Sequence, residues 1–119
     1  MFEPANSIFW DAINTVRPDL QRGFNPWERI SDTVGLKAML AEAGVYTDQI
    51  SHQSGSHPLH NAEDWWKIAM GSGYRGTLEQ LDSLEFEQVF KINMAQLQEA
   101  GINAIATNVI YSLAQKPLP

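Results

Sequence analysis

Cysteine is absent from this 119-residue chain, which excludes disulfide bridges and thiolate metal sites. Basic residues are scarce: eight Lys and Arg stand against fourteen Asp and Glu, for a formal net charge of -6. Phosphate backbones and anionic bilayers are held by concentrated positive charge, so nucleic acid and membrane surfaces are disfavoured as partners. No apolar run approaches the roughly 18 residues that span a bilayer. The start, Met1-Phe2-Glu3-Pro4, lacks the basic residues of a secretory signal. The expectation from these absences is a soluble, cytoplasmic protein. What is present is a globular composition, 44% hydrophobic and 18% charged, at a length that suits one domain with its own core.

Apolar spacing predicts most of the elements. Ile8, Phe9, Ala12, Ile13 and Val16 recur at three- and four-residue steps, which predicts an amphipathic helix over 5–16 capped by Asn6 or Ser7. Pro18 to Gly23 reads as a short second turn, and Phe24-Asn25-Pro26-Trp27 as a linker whose aromatics dock on something apolar. Ser31 or Asp32 opens a helix with Val34, Leu36, Met39, Leu40 and Ala43 in one stripe, and Gly44 stops it. Residues 45–54 alternate weakly and are polar, as befits a strand at a sheet edge. Asn61 caps a helix carrying Trp65, Trp66, Ile68, Ala69 and Met70, with Glu63 and Asp64 favouring its positive end. Thr77 caps a short turn. Ser83 or Asp82 caps the longest helix, to Ala100, with Phe86, Val89, Phe90, Asn93, Met94 and Leu97 on one face and Gly101 as its stop. The last strand, Asn103 to Leu113, is apolar on both faces, which predicts an interior position.

The fold class that follows is α+β, mostly helical, with one antiparallel strand pair near residues 45–54 and 103–114. The parts of the single domain are a helical cover over 1–30, a helix and edge strand over 31–60, a helical insertion over 61–101, and a central strand with tail over 102–119.

Few constellations carry chemistry. Gly71-Ser72-Gly73-Tyr74-Arg75-Gly76 has the G-x-G-x-x-G spacing, but a helix precedes it where a dinucleotide site needs a buried strand. It reads as a connection between helices. His52, His57 and His60 lack the i, i+4 helical pairing that sets two imidazoles on one face, so they read as strand-end and loop residues and no metal is expected. Trp65 and Trp66 are neighbours and point about 100° apart on a helix, so one packs inward and the other lines a pocket or covers a neighbouring helix. Tyr74 and Arg75 either touch a ligand or serve structure, Arg75 by bonding helix-end carbonyls.

Glu63-Asp64-Trp65-Trp66, Gly71 to Thr77, Thr107-Asn108-Val109-Ile110-Tyr111-Ser112-Leu113-Ala114 and Lys116-Pro117 together resemble the C-terminal part of class I S-adenosylmethionine-dependent methyltransferases of the small-molecule type. Leu40-Ala41-Glu42-Ala43-Gly44-Val45 is similar to the helix before the sixth strand there. The resemblance implies that 46–54 is strand six, at the edge, and 103–113 is strand seven, inside the sheet. The helices over 5–30 and 61–99 would then cover a substrate pocket, with Phe9, Trp66, Tyr74 and Arg75 as its candidate residues.

The family builds its cofactor site in its first half, which has no counterpart in this sequence. The implication is a truncated, methyltransferase-like subdomain with no catalytic residue, no cofactor of its own and no independent methyl transfer; S-adenosylmethionine belongs to the family at large. Deprived of its strand-five neighbour, strand Asn103 to Leu113 would be an unpaired apolar edge, covered by pairing in a homo-oligomer. The alternatives are a small-ligand binding module that uses the inherited pocket, and one part of a two-chain methyltransferase completed by a separate cofactor-binding chain.

Overall fold

The computed structural model describes residues 1–21 and 26–117. The described residues fall into two compact units, a helical unit of residues 2–21 and 56–106 and a strand unit of residues 26–55 and 107–117. Among the described residues no helix is long and apolar enough to cross a membrane.

In the helical unit, α1 (Ala5–Val16) buries Ala5, Phe9, Ala12 and Ile13, the stripe its spacing predicts. Its cap is a correction. Helix α1 begins ahead of Asn6 and Ser7, which therefore sit in its first turn, and the Glu3 carboxylate accepts from the Ser7 backbone N–H (3.2 Å) and from Asn6 Nδ2 (2.8 Å). A carboxylate there satisfies donors that a first turn leaves orphaned and favours the positive end of the helix dipole. A 3-10 turn, Pro18–Leu20, follows.

Helix α3 (Ala62–Met70) is capped by Asn61, whose side chain accepts from the Asp64 N–H, and it buries Ala62, Trp65 and Ala69. Helix α4 (Arg75–Leu78) starts after Tyr74, so Thr77 lies inside it and does not cap it. The glycine-rich words divide as a connection between helices: Gly71 is the C-cap of α3, and Gly76 lies within α4.

Helix α5 (Ser83–Glu99) opens on a capping box. Asp82 accepts from the Glu85 N–H, and the Glu85 side chain accepts from the Asp82 N–H. Val89, Asn93, Met94 and Leu97 form its buried face, and Gly101, with φ +64, ends it in the left-handed region. Helices α1 and α3 both pack on α5. The core joins Phe9, Ile13, Trp65, Leu78, Val89, Leu97 and Ile105. Each such side chain removed from water contributes about 1.5–3 kcal/mol before entropy is charged.

The strand unit holds a 3-10 helix, Pro26–Ile30, beside α2 (Thr33–Glu42). Asp32 caps α2 by accepting from the Gly35 N–H, and Gly44, with φ +78, follows it. No residue of α2 is fully buried; Val34 is 77% exposed, so the expected stripe is only half covered, through Leu36, Met39 and Leu40. Trp27 is 70% exposed, and Phe24 lies outside the described residues.

The strands keep the predicted antiparallel sense and lose the predicted length. In the strand unit β1 (Gln49–Gln53) pairs antiparallel with β4 (Val109–Leu113), Gln49 opposite Leu113 and Ser51 opposite Tyr111. In the helical unit β2 (Ser56–Pro58) pairs antiparallel with β3 (Ala104–Ala106), Ser56 opposite Ala106. Residues 45–48 are not strand, although Thr47 is buried and its hydroxyl donates to the Leu113 carbonyl. The prediction of an interior last strand is overturned for β4, where Val109, Tyr111 and Leu113 are all exposed. Among the described residues each sheet has two strands, so a strand apolar on both faces has one ladder neighbour where an interior strand has two.

Candidate functional site

The four residues expected to line a pocket have different settings in the helical unit. Phe9 is wholly buried on α1, and Tyr74, just ahead of α4, is 8% exposed. Their rings meet edge to face at 5.0 Å, and Trp65 joins at 5.2 Å from Tyr74. Such contacts add about 0.5–1.5 kcal/mol per pair beyond area burial. The Tyr74 hydroxyl donates to Asn6 Oδ1 at 2.8 Å. Burial, with the Glu3 carboxylate nearby, pushes the phenol up from 10.0 to about 12.

Trp66 faces another way. It stands edge-on to Phe86 and Phe90 of α5, at 5.4 and 5.1 Å, half-buried. The neighbouring Trp65 points into the core, so the two indoles divide between core and helix cover. Arg75 is exposed, and its Nε donates to Glu79 Oε1 at 2.7 Å, one helical turn on. The structure therefore brings Phe9 and Tyr74 together and engages Trp66 and Arg75 with other partners.

An open depression of about 450 Å³ in the same unit is lined by Thr15, Val16, Gln88, Lys91 and Ile92, none of them a predicted site residue. His57 lies on β2 and His60 just ahead of α3, where its backbone N–H donates to Asp64 Oδ2 at 2.8 Å. Among the described residues no group of three or more His, Asp or Glu is placed to hold a metal ion.

In the strand unit a second open depression, of about 410 Å³, lies on the β1–β4 ladder, lined by Gln49, Ile50, Ser51, Tyr111, Ser112 and Leu113. Side chains opposite one another in an antiparallel pair share a face, so Val109, Tyr111 and Leu113 stand with Gln53, Ser51 and Gln49. This face was missed as a site by hydrophobic patterning, which had reserved it for burial. Charge spacing is the signal that finds it. No Asp, Glu, Lys or Arg occurs from Gln49 to Ala62 or from Ala100 to Gln115. Ten of the fourteen acidic side chains lie in the helical unit. Exposed strand edges are ordinarily guarded by charge, lysine above all, and this ladder carries none.

Comparison with family models, characterised proteins and solved structures gives no match for this chain.

Proposed function

We propose that this chain is a methyltransferase-like subdomain that works by association and does not transfer a methyl group on its own. The observation that carries the reading is the exposure of Val109, Tyr111 and Leu113, at 43%, 55% and 66%, on a charge-free strand with one ladder neighbour among the described residues. Apolar side chains gathered on such an edge gain most by being covered. The antiparallel pairing of residues 49–53 with 109–113 supports the likeness to strands six and seven of the family. In that family the second edge of strand seven is met by strand five, so the edge of β4 that faces away from β1 is where a partner belongs.

Sedimentation over about 10 to 500 micromolar, the range in which small interfaces act, is expected to show reversible self-association. A monomer throughout would end this reading. Titration calorimetry of the isolated chain with S-adenosylmethionine is expected to show no binding, and tight binding would overturn the view that the donor site lies elsewhere. The two-chain alternative draws on the same edge of β4. Phe9 and Tyr74 pack against each other, which lends less support to a ligand pocket between them.

A further inference from the structure

We infer that the partner on β4 is a second copy of the same strand, running antiparallel about a two-fold axis at Tyr111. The inference rests on the association reading above and adds the partner, the direction and the register.

The edge comes first. Among the described residues β4 has β1 as its only ladder partner, so one of its hydrogen-bonding edges is unmatched. Helix α2 packs against β1, the other strand of this ladder. Backbone N–H and C=O groups along an unmatched edge form a template for another strand.

Register follows from the order Val109-Ile110-Tyr111-Ser112-Leu113. Pairing about Tyr111 sets Val109 opposite the other copy's Leu113, Ile110 opposite Ser112, and Tyr111 opposite itself. All five residues are then matched. The three exposed apolar side chains of each copy fall on the same face and make one continuous strip. A shift of one residue sets odd positions opposite even ones and splits that strip between faces. A shift of two keeps the face but leaves two residues of each copy unmatched.

Charge selects the occupant. The chain is acidic at -6, yet neither β1 nor β4 carries an Asp, Glu, Lys or Arg. A basic partner finds no counter-charge on these strands, whereas a second β4 meets an equally uncharged edge without like-charge repulsion. Size sets the strength: five paired residues span about 17 Å, so the contact falls below the roughly 1,200 Å² of stable interfaces and the dimer is weak and reversible.

Because the native chain lacks cysteine, single cysteines report the register directly. Under mild oxidation Tyr111→Cys is expected to form a disulfide dimer at least about tenfold faster than Val109→Cys or Leu113→Cys alone, since bridging needs Cα atoms within about 7 Å. An equimolar mixture of Val109→Cys and Leu113→Cys is expected to cross-link into the mixed dimer. Leu113→Lys, a charge on an exposed position, is expected to weaken native self-association about tenfold with an unchanged far-ultraviolet circular dichroism spectrum. Cross-linking of Val109→Cys alone as fast as Tyr111→Cys would overturn the register. Self-association that survives Leu113→Lys, with no cross-linking from any of the cysteines, would overturn strand pairing and leave association standing. A native chain that stays monomeric removes both.

Discussion

The indole Nε1 of Trp65 donates to Oδ1 of Asn93 at 3.1 Å, and both side chains are wholly buried. The indole is a donor only, so it needs an acceptor when taken out of water, and Asn93 supplies one on the apolar face of α5. The amide Nδ2 of Asn93 has no protein partner. One of the two polar groups that Asn93 buries is therefore satisfied, and the bond to Trp65 must offset the cost of the other.

Coupling between these residues is the first prediction. Asn93→Leu orphans the indole N–H and Trp65→Phe orphans Oδ1, so each should destabilise the fold by about 1–3 kcal/mol. The double variant should lose less than the two combined, with a coupling of about 0.5–3 kcal/mol in a denaturant-midpoint cycle. Simple additivity would show that the bond contributes nothing of its own.

The capping box of α5 is the second. Replacing Asp82 by Ala removes the acceptor for the Glu85 N–H and should cost about 0.5–2 kcal/mol in urea unfolding. Glu85 also receives Arg17 Nη1 at 3.2 Å, and Arg17 in turn pairs with Asp19 at 2.9 Å. Glu85→Ala should therefore couple to Arg17→Ala, whereas Asp82→Ala should couple to it less. Equal coupling would show that the ion pair and the cap act as one unit.

Alkaline unfolding should depend on Tyr74. Its phenol is held protonated to about 12 in the fold against 10.0 ordinarily, so above 10 the unfolded chain releases a proton that the folded chain keeps. Stability is full below that value and falls as pH rises toward 12. Tyr74→Phe loses the bond to Asn6, and its thermal midpoint should decline less steeply between these values. An identical alkaline limb in both proteins would count against this account.

Acid acts through carboxylates with the opposite sign. The His60 backbone N–H holds the Asp64 carboxyl below its ordinary 3.8, with Lys67 assisting against desolvation. Burial pulls Glu3 upward, but bonds from Asn6 and Ser7 outweigh it and leave the carboxyl below 4.5. Both contribute stability that is present above the ordinary values and lost as pH falls through the folded ones. Asp64→Asn and Glu3→Gln should each flatten the acid limb of a stability profile and change little near neutrality beyond the weakened bonds.

Trp66 offers a further check on the helical unit. It is half-buried against Phe86 and Phe90, so Trp66→Ala should cost about 1–3 kcal/mol, less than truncating a wholly buried tryptophan. Loss comparable to that of Trp65→Ala in calorimetric melting would mean that its exposed side is covered in solution.

Much of the helical unit is legible in the sequence, and the reason is local. Periodicity places Phe9, Ile13, Trp65, Val89, Met94 and Leu97 on core faces, and Asn61, Asp82 and Gly101 punctuate the helices through their own backbone chemistry. Even Asn93 is legible as a core position, although its bond to Trp65 depends on packing between α3 and α5 that no local pattern encodes. The cap of α1 was concealed because Glu3 reaches over Pro4 from outside the helix. The strands misled for a different reason. Apolar residues on both faces of 103–113 record what those side chains would prefer, not how many strands stand beside them, and β4 has one. The candidate site was least legible, since the charge-free ladder becomes meaningful only once β4 is seen to be exposed.

Phe2 donates its backbone N–H to the Ala106 carbonyl at 3.1 Å, and the Ala106 N–H returns a bond to the Glu3 carbonyl at 2.8 Å. The earliest described residues of the helical unit thus close on its latest. The strand unit is likewise assembled from a middle segment and a late one. Neither unit has its closing contacts until residues 104–113 pair, since non-local pairings wait on loop closure. Helices α1, α3 and α5 can cover Phe9 and Trp65 among themselves before those strands pair, so strand pairing is expected to be the slower step of refolding.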